Sequence, residues 1–115
     1  MGWNVNIEAG RTLLQEGEDS QSMYLVLEGE LAVSRKEGDR DVVLGYVKAG
    51  ELVGELSFLD KKPRSATVKA LTDCKLFQIP QKTYDEIFED QPRWLGAFVK
   101  TLAARIRKAD ERIKI

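Results

Sequence analysis

The sequence contains no histidine and only one cysteine, Cys74. Because histidine is the base of Ser-His-Asp and Cys-His catalytic sites, those sites are excluded, and so are metal sites with imidazole ligands. A single cysteine cannot form an intramolecular disulfide or supply the clustered thiolates of a structural zinc site. These absences favour a binding function over an enzymatic one, and they predict no catalytic residue, no metal and no cofactor.

Long hydrophobic runs and a strong net charge are also lacking. No apolar stretch approaches the roughly 20 residues that span a membrane, and no basic region followed by an apolar run marks a signal peptide. The formal net charge is −1, so no overall field attracts nucleic acid. Together with the unpaired cysteine, these features predict a cytoplasmic protein with no membrane segment and no direct nucleic-acid contact.

The 115 residues are 43% hydrophobic and 32% charged, a balance typical of one globular domain. Their character changes near Pro80. Before it, glycines separate short segments rich in Val, Leu, Ile and Tyr, which predict the strands of a β-sandwich, roll or barrel. After it, the only glycine is Gly96. The segments with strand character are residues 23–27, 31–33, 42–44, 66–70 and 76–79, and residues 37–40 predict a hairpin turn.

The residues after Pro80 predict two helices. Residues 81–89 carry apolar side chains at helical spacing, and Pro92 fits the first turn of a second helix that runs to near the C terminus. We expect the apolar stripe of this second helix to face the β unit, and it also fits a partner helix in a homodimer. The stripe consists of Leu95, Phe98, Leu102, Ile106, Ala109 and Ile113.

The second helix is also the most basic part of the chain. Two interpretations fit this charge: a solvated helical face, or contact with nucleic acid. No basic patch interleaved with aromatic residues accompanies it, so the solvated face is favoured. The basic residues are Lys100, Arg105, Arg107, Lys108, Arg112 and Lys114.

Residues 50–68 combine the features that could bind a small anion. The residues after Gly54 predict a short helical turn, and a helix that starts at a glycine presents free N–H groups to an anion. Arg64 follows Pro63, which fixes the backbone, and a guanidinium can bind two anionic oxygens. Glu55 can accept hydrogen bonds from sugar hydroxyls. The residue types fit a nucleotide pocket, but they also fit an ordinary surface loop with an exposed ion pair between Glu55 and Arg64.

This segment resembles the phosphate-binding cassette of the cyclic nucleotide-binding domain family. The family includes regulatory subunits of cyclic-AMP-dependent kinases, bacterial catabolite activators and cyclic-nucleotide-gated channels. Its pattern is an apolar residue, Gly-Glu-Leu, a short helix and loop, and then Pro-Arg-small-Ala-Thr-Val, which residues 53–56 and 63–68 match. Residues 16–19 and 23–29 resemble the family's Gly-Glu/Asp turn and the strand after it, and residues 5–15 resemble its first strand and turn. The similarity covers nearly the whole chain in the same order.

The resemblance implies a fold that is mainly β with α. It would be an antiparallel β-roll of about eight strands, closed by two C-terminal helices that the family calls B and C. In this chain a single cyclic nucleotide-binding domain would occupy residues 1–115. The roll would span residues 1–79 with the cassette at 53–68, and the helices would span residues 80–115.

The resemblance also implies a role for each matching residue. Arg64 would pair with the cyclic phosphate, and Glu55 would accept the ribose 2′-hydroxyl. The Ser65 hydroxyl would add a further bond. Arg105 falls where some bacterial channel-type domains place an arginine that contacts the base, and Arg107 is nearby, although both also fit a solvated helix face. The backbone N–H groups expected around sugar and phosphate are those of Gly54, Leu56, Ser57 and Ser65.

The function implied is a regulatory sensor that binds a cyclic nucleotide and is not an enzyme. Cyclic AMP is expected rather than cyclic GMP because it is the commoner ligand. Rearrangement of the last helix would relay the signal to a covalently linked effector domain or within a homodimer. Three alternatives remain. The domain could be a degenerate relative that serves as a protein-interaction module, or the sensor half of a transcription regulator. It could also be a cupin-type barrel for sugars or small acids, which the lack of histidine disfavours.

Overall fold

A computed structural model describes residues 2–19 and 21–112. This part of the chain forms eight strands and three helices, so the predicted architecture, mainly β with C-terminal helices, is confirmed. The strands are β1 (Trp3–Ile7), β2 (Thr12–Leu14), β3 (Ser22–Glu28), β4 (Glu30–Glu37), β5 (Arg40–Lys48), β6 (Leu52–Val53), β7 (Thr67–Ala70) and β8 (Cys74–Pro80). The helices are α1 (Glu55–Asp60), α2 (Gln81–Glu89) and α3 (Arg93–Arg112).

The strands form two four-stranded antiparallel sheets, in the orders β1-β8-β3-β6 and β2-β7-β4-β5. Both sheets contribute to one hydrophobic core, as expected for a roll. Leu31 from one sheet and Leu76 from the other are fully buried, and burial of each such side chain contributes about 1.5–3 kcal/mol. The buried members of the core are Leu14, Val26, Leu31, Val53, Val68, Ala70, Cys74 and Leu76.

Strands β4 and β5 are longer than the apolar segments that predict them. Their outer ends are polar and pair with each other up to Glu37 and Arg40, the first and last residues of the predicted turn. The register between the two strands shifts once, between Val33 and Ser34. A β-bulge of this kind bends a strand and increases its twist. Because the paired outer ends are polar, the β4–β5 hairpin extends beyond the core.

Helix α3 does not bury the stripe that the sequence predicts. Phe98, Leu102 and Ile106 are 54%, 43% and 49% exposed, whereas Ala103 is 1% exposed. The helix packs against α1 through a neighbouring face, and the small side chain of Ala103 permits a close approach. The expectation that the stripe packs on the roll is therefore wrong for these three residues and for Ala109, which is also exposed. Ile113, its last member, lies outside the described residues.

Three aromatic rings connect α1 to α2. Phe58 of α1 is fully buried and meets Tyr84 edge-to-face, with 4.8 Å between ring centroids. Tyr84 in turn stacks on Phe88 at 4.3 Å. Such pairs contribute about 0.5–1.5 kcal/mol beyond the area they bury. The described helices include none that is long and apolar enough to cross a membrane.

Candidate functional site

Arg64 is a buried cation held by backbone carbonyl groups. Its side chain is 6% exposed. Nη1 donates to the Gly54 carbonyl at 2.9 Å, and Nη2 donates to the Ser22 carbonyl at 2.6 Å. The Arg64 backbone N–H also donates to the Glu18 carbonyl at 2.7 Å, while its carbonyl accepts from Gly17 N–H at 2.9 Å. The guanidinium is thus fixed between the start of β3 and the start of α1.

The charge of Arg64 is not paired within the described part of the chain. No carboxylate there lies within 4.0 Å of the guanidinium, and the ion pairs Lys61–Asp85 and Lys75–Glu28 lie elsewhere. Burial lowers the pKa of Arg64, and weaker attraction from Tyr24, Glu18 and Glu55 opposes that shift. An arginine nevertheless stays protonated in proteins, so the site holds a positive charge that is partly removed from water. An anion bound beside it would be favoured electrostatically.

Gly54 places α1 next to this cation. Its φ of 80° lies in the left-handed region, which glycine adopts without strain. A Cβ atom at this position would lie 2.6 Å from Nη1 of Arg64 and 3.0 Å from Cδ1 of Leu14. The first helical bond runs from Phe58 N–H to the Gly54 carbonyl at 3.3 Å. The N–H groups of residues 55–57 precede that bond, so they have no partner within the helix.

Side-chain bonds hold the loop between α1 and β7. Ser57 is 3% exposed, and its Oγ donates to the Pro63 carbonyl at 3.4 Å. Nη2 of Arg107, on α3, donates to the same Oγ at 3.5 Å. At the other end of the loop, the Ser65 carbonyl accepts a bond from Nε of Arg35 at 3.3 Å. The loop that carries Arg64 is therefore tied to both α3 and β4.

A cavity of about 300 Å³ opens beside Arg64. This volume lies at the lower end of the range of about 300–1,000 Å³ for small-molecule pockets. Apolar side chains form most of its wall, and its charged groups are Glu55, Arg64 and Arg35. The lining residues are Leu14, Val33, Arg35, Leu44, Gly45, Tyr46, Val47, Leu52, Val53, Gly54, Glu55, Ser57, Arg64, Ser65, Ala66 and Val68.

The structure brings most of the predicted site residues to this cavity. Those that line it are Gly54, Glu55, Ser57, Arg64 and Ser65, and Leu56 lies in the first turn of α1. The alternative of an exposed Glu55–Arg64 ion pair does not fit, because Arg64 is buried and no carboxylate of the described residues lies within 4.0 Å of it.

The two arginines expected at the base lie outside the cavity. Arg105 is exposed on α3, and Arg107 is half-buried and bonds Ser57 in the cassette. The sequence reasoning missed Arg35 and the β5 residues of the wall, Leu44, Gly45 and Tyr46. Their position depends on the register between strands. The alternation of inward and outward side chains along β4 is the one signal that could have identified Arg35.

A family model described as the cyclic nucleotide-binding domain matches residues 4–91. The chain belongs to the cyclic nucleotide-binding domain family. The matched region contains strands β2–β8, all of β1 except Trp3, helices α1 and α2, and the whole cassette. The family membership expected from the cassette is therefore confirmed.

Individual relatives agree with this assignment. The cAMP-activated global transcriptional regulator CRP of Haemophilus influenzae is 32% identical over 107 residues, which are 91% of this chain and 48% of that protein. Lysophospholipase nte1 of Aspergillus fumigatus is 32% identical over 109 residues, 94% of this chain and 7% of that protein. The catabolite activator protein of Thermus thermophilus superposes with a TM-score of 0.80 at 30% identity, covering 97% of this chain and 53% of that one. The domain thus spans about half of two relatives and a small part of the third.

Proposed function

We propose that the domain is a regulatory sensor that binds a cyclic nucleotide in the cavity beside Arg64 and catalyses no reaction itself. The observation that carries this proposal is the buried guanidinium of Arg64, which lines an apolar-walled cavity without a carboxylate partner among the described residues. A cyclic phosphodiester carries one negative charge, so one arginine and nearby N–H groups match it. Cyclic AMP is the preferred ligand in this proposal, with cyclic GMP as the second candidate.

The phosphate and the ribose of the ligand each have a matching group in the cavity. The phosphate would accept bonds from Arg64 and from backbone N–H groups at Gly54, Leu56, Ser57 and Ser65. The carboxylate of Glu55, which also lines the cavity, would accept the ribose 2′-hydroxyl. The Ser65 hydroxyl lies next to Arg64 in the chain and could bond the phosphate or the base. No metal or additional cofactor has a part in this arrangement.

Helix α3 would carry the signal. Arg107 already bonds Ser57, which lines the cavity, so a ligand that occupies the cassette would act directly on an α3 contact. If α3 then moves over the mouth of the cavity, Arg105 or Arg107 can reach the base, where a guanidinium stacks favourably on a purine. Ligand binding would shift α3 between two positions because the ligand contacts only one of them well.

The partner that contacts α3 would receive the signal. The exposed stripe of Phe98, Leu102 and Ile106 suits either a second copy of the domain or a linked effector domain. No observation favours nucleic acid as a direct partner, and we propose a cytoplasmic setting because that is where an intracellular messenger is sensed. Regulation of transcription or of a linked enzyme is proposed by analogy with the relatives.

Calorimetric titration of the purified domain tests this function. We expect saturable binding of cyclic AMP and cyclic GMP, and no binding of adenosine at the same concentrations, because adenosine lacks the charge that Arg64 pairs with. An interaction module that has lost nucleotide binding would give no heat and no thermal shift with either cyclic nucleotide. That result would contradict the proposal.

A further inference from the structure

The cavity contains a second arginine, which the proposed phosphate and ribose contacts leave unused. Arg35, on β4, is half-buried and lines the same cavity as Arg64 and Glu55. Side chains alternate between the two faces of a strand, so Arg35 follows Leu31 and Val33 on the inner face of the roll. Leu31 is fully buried and Val33 is half-buried in the wall. A charged side chain in such an inward row is expected to have a polar partner.

A hydrogen bond from Nε holds the Arg35 side chain and leaves its terminal N–H donors unused. Nε donates to the Ser65 carbonyl at 3.3 Å. The two terminal nitrogens carry four of the five N–H donors of an arginine, and no group in the described part of the chain accepts a hydrogen bond from them. The Ser65 bond places this guanidinium beside the cassette, and β4 itself runs next to the end of the cassette, because Ser34 pairs with Thr67. Arg35 is therefore preorganised to bind an acceptor within the cavity.

The wall around Arg35 suits the base of a nucleotide. In the proposed binding mode, Arg64 and Glu55 hold phosphate and ribose at the α1 side, which leaves the β4–β5 side for the base. Leu44 and Val47 of β5 line that side and offer apolar surface. Between them, a Cβ added to Gly45 would meet nothing within 4 Å, so the space in front of the strand is open. A planar purine can lie there with one edge toward Arg35.

On the basis of the proposed function, we infer that Arg35 is a specificity-determining residue that binds the N7 and O6 atoms of a guanine-type base. A guanidinium has only donors, and guanine presents two adjacent acceptors on this edge. Adenine presents N7 beside an amino group, which is itself a donor and cannot pair with arginine. A second phosphate contact is not required, because the single charge of the phosphate is matched by Arg64. Arg35 thus raises the affinity for cyclic GMP toward that for cyclic AMP.

Calorimetry with four ligands tests this assignment on the whole chain. Cyclic IMP shares N7 and O6 with cyclic GMP but lacks the 2-amino group, and 7-deaza cyclic GMP lacks N7. We expect Arg35→Leu to weaken cyclic GMP and cyclic IMP by about tenfold or more, and cyclic AMP by less than about threefold, as loss of one bidentate contact predicts. The wild-type protein should bind 7-deaza cyclic GMP more weakly than cyclic GMP. Arg40→Leu, at an exposed position on β5 outside the cavity, should change none of these affinities.

The outcomes separate this inference from the proposed function. If the wild-type protein binds none of the four ligands, the proposed function fails and the inference fails with it. If cyclic AMP binds but the guanine-type ligands do not, or if Arg35→Leu leaves all affinities unchanged, only the assignment of Arg35 is overturned. Equal weakening of all ligands by Arg35→Leu also overturns it, because that result shows a contact with the phosphate or support of the cassette through Ser65.

Discussion

Gly54 is the position where backbone conformation and the proposed ligand site depend most directly on each other. Its φ is 80°, and an added Cβ would lie 2.6 Å from Nη1 of Arg64. Gly50 has a similar φ of 90°, but an added Cβ there would meet nothing within 4 Å. Comparing Gly54→Ala with Gly50→Ala therefore separates left-handed backbone strain, common to both, from crowding of Arg64, which occurs only in the first.

The two effects have different magnitudes and act on different quantities. An L-residue in the left-handed region costs about 1–2 kcal/mol, so both variants should lose a similar amount of unfolding free energy through this strain. In Gly54→Ala the guanidinium must also move, because it is the end of a flexible side chain, and its 2.9 Å bond to the Gly54 carbonyl is lost. A displaced guanidinium would also lose a charge-assisted hydrogen bond to the phosphate. Such bonds contribute about 1.5–3 kcal/mol, which corresponds to a loss of cyclic AMP affinity of about 10- to 150-fold.

Urea unfolding measures the first effect and calorimetric titration with cyclic AMP measures the second. We expect the midpoint of Gly54→Ala to be no higher than that of Gly50→Ala, because Gly54→Ala also loses the Arg64 bond to the Gly54 carbonyl, and we expect only Gly54→Ala to bind weakly. Equal affinities in the two variants would refute the reasoning, because they would show that the position of the Arg64 guanidinium does not control binding.

Two further predictions concern the fold. Phe58→Ala removes a fully buried ring that contacts Tyr84 and should lower the unfolding free energy by about 3–5 kcal/mol in urea titrations, whereas Phe98→Ala at a 54% exposed position should change it little. Burial raises the pKa of Tyr24 above its ordinary value of 10.0, with a smaller opposing effect from Arg64. The unfolded chain therefore loses this proton first, and stability should fall as the pH rises through about 10. Tyr24→Phe should reduce this loss of stability at alkaline pH. Tyr46→Phe, which changes a 56% exposed ring, serves as the control. Burial also raises the pKa of Tyr84, so part of the loss should remain in Tyr24→Phe. An unchanged alkaline slope in Tyr24→Phe would contradict this assignment.

The local backbone geometry of the cassette could be predicted from the sequence, but its role as an anion site was predicted from the resemblance to the family, because the residue types alone also fit a surface loop. A glycine, a short helix and a Pro-Arg pair within residues 53–68 specify the turn, the helix start and the arginine. The groups that hold Arg64 could not be predicted in the same way. They are backbone carbonyls of Ser22 and Gly54, and any residue type supplies a carbonyl. Only the fold brings Ser22, 42 positions away in the chain, to the guanidinium.

The face of α3 that packs inward was predicted incorrectly for a physical reason. Helical periodicity identifies the most hydrophobic stripe, and that stripe contains Phe98, Leu102 and Ile106. The face that packs closely on α1 is instead the one with the small Ala103, so the three large side chains of the stripe stay exposed. Arg35 was missed because its role depends on strand register, and the polar outer half of β4 carries no apolar pattern from which to extend the strand.

The central claim is that the buried charge of Arg64 binds the phosphate of a cyclic nucleotide, and titration of Arg64→Ala with cyclic AMP tests it most directly. Removing one partner of a buried charge pair costs about 2–5 kcal/mol, so the account predicts a loss of affinity of at least about 30-fold. Circular dichroism should show that the variant stays folded, because the Gly54 carbonyl keeps its bond from Phe58 N–H. Wild-type affinity in a folded Arg64→Ala protein would contradict the account.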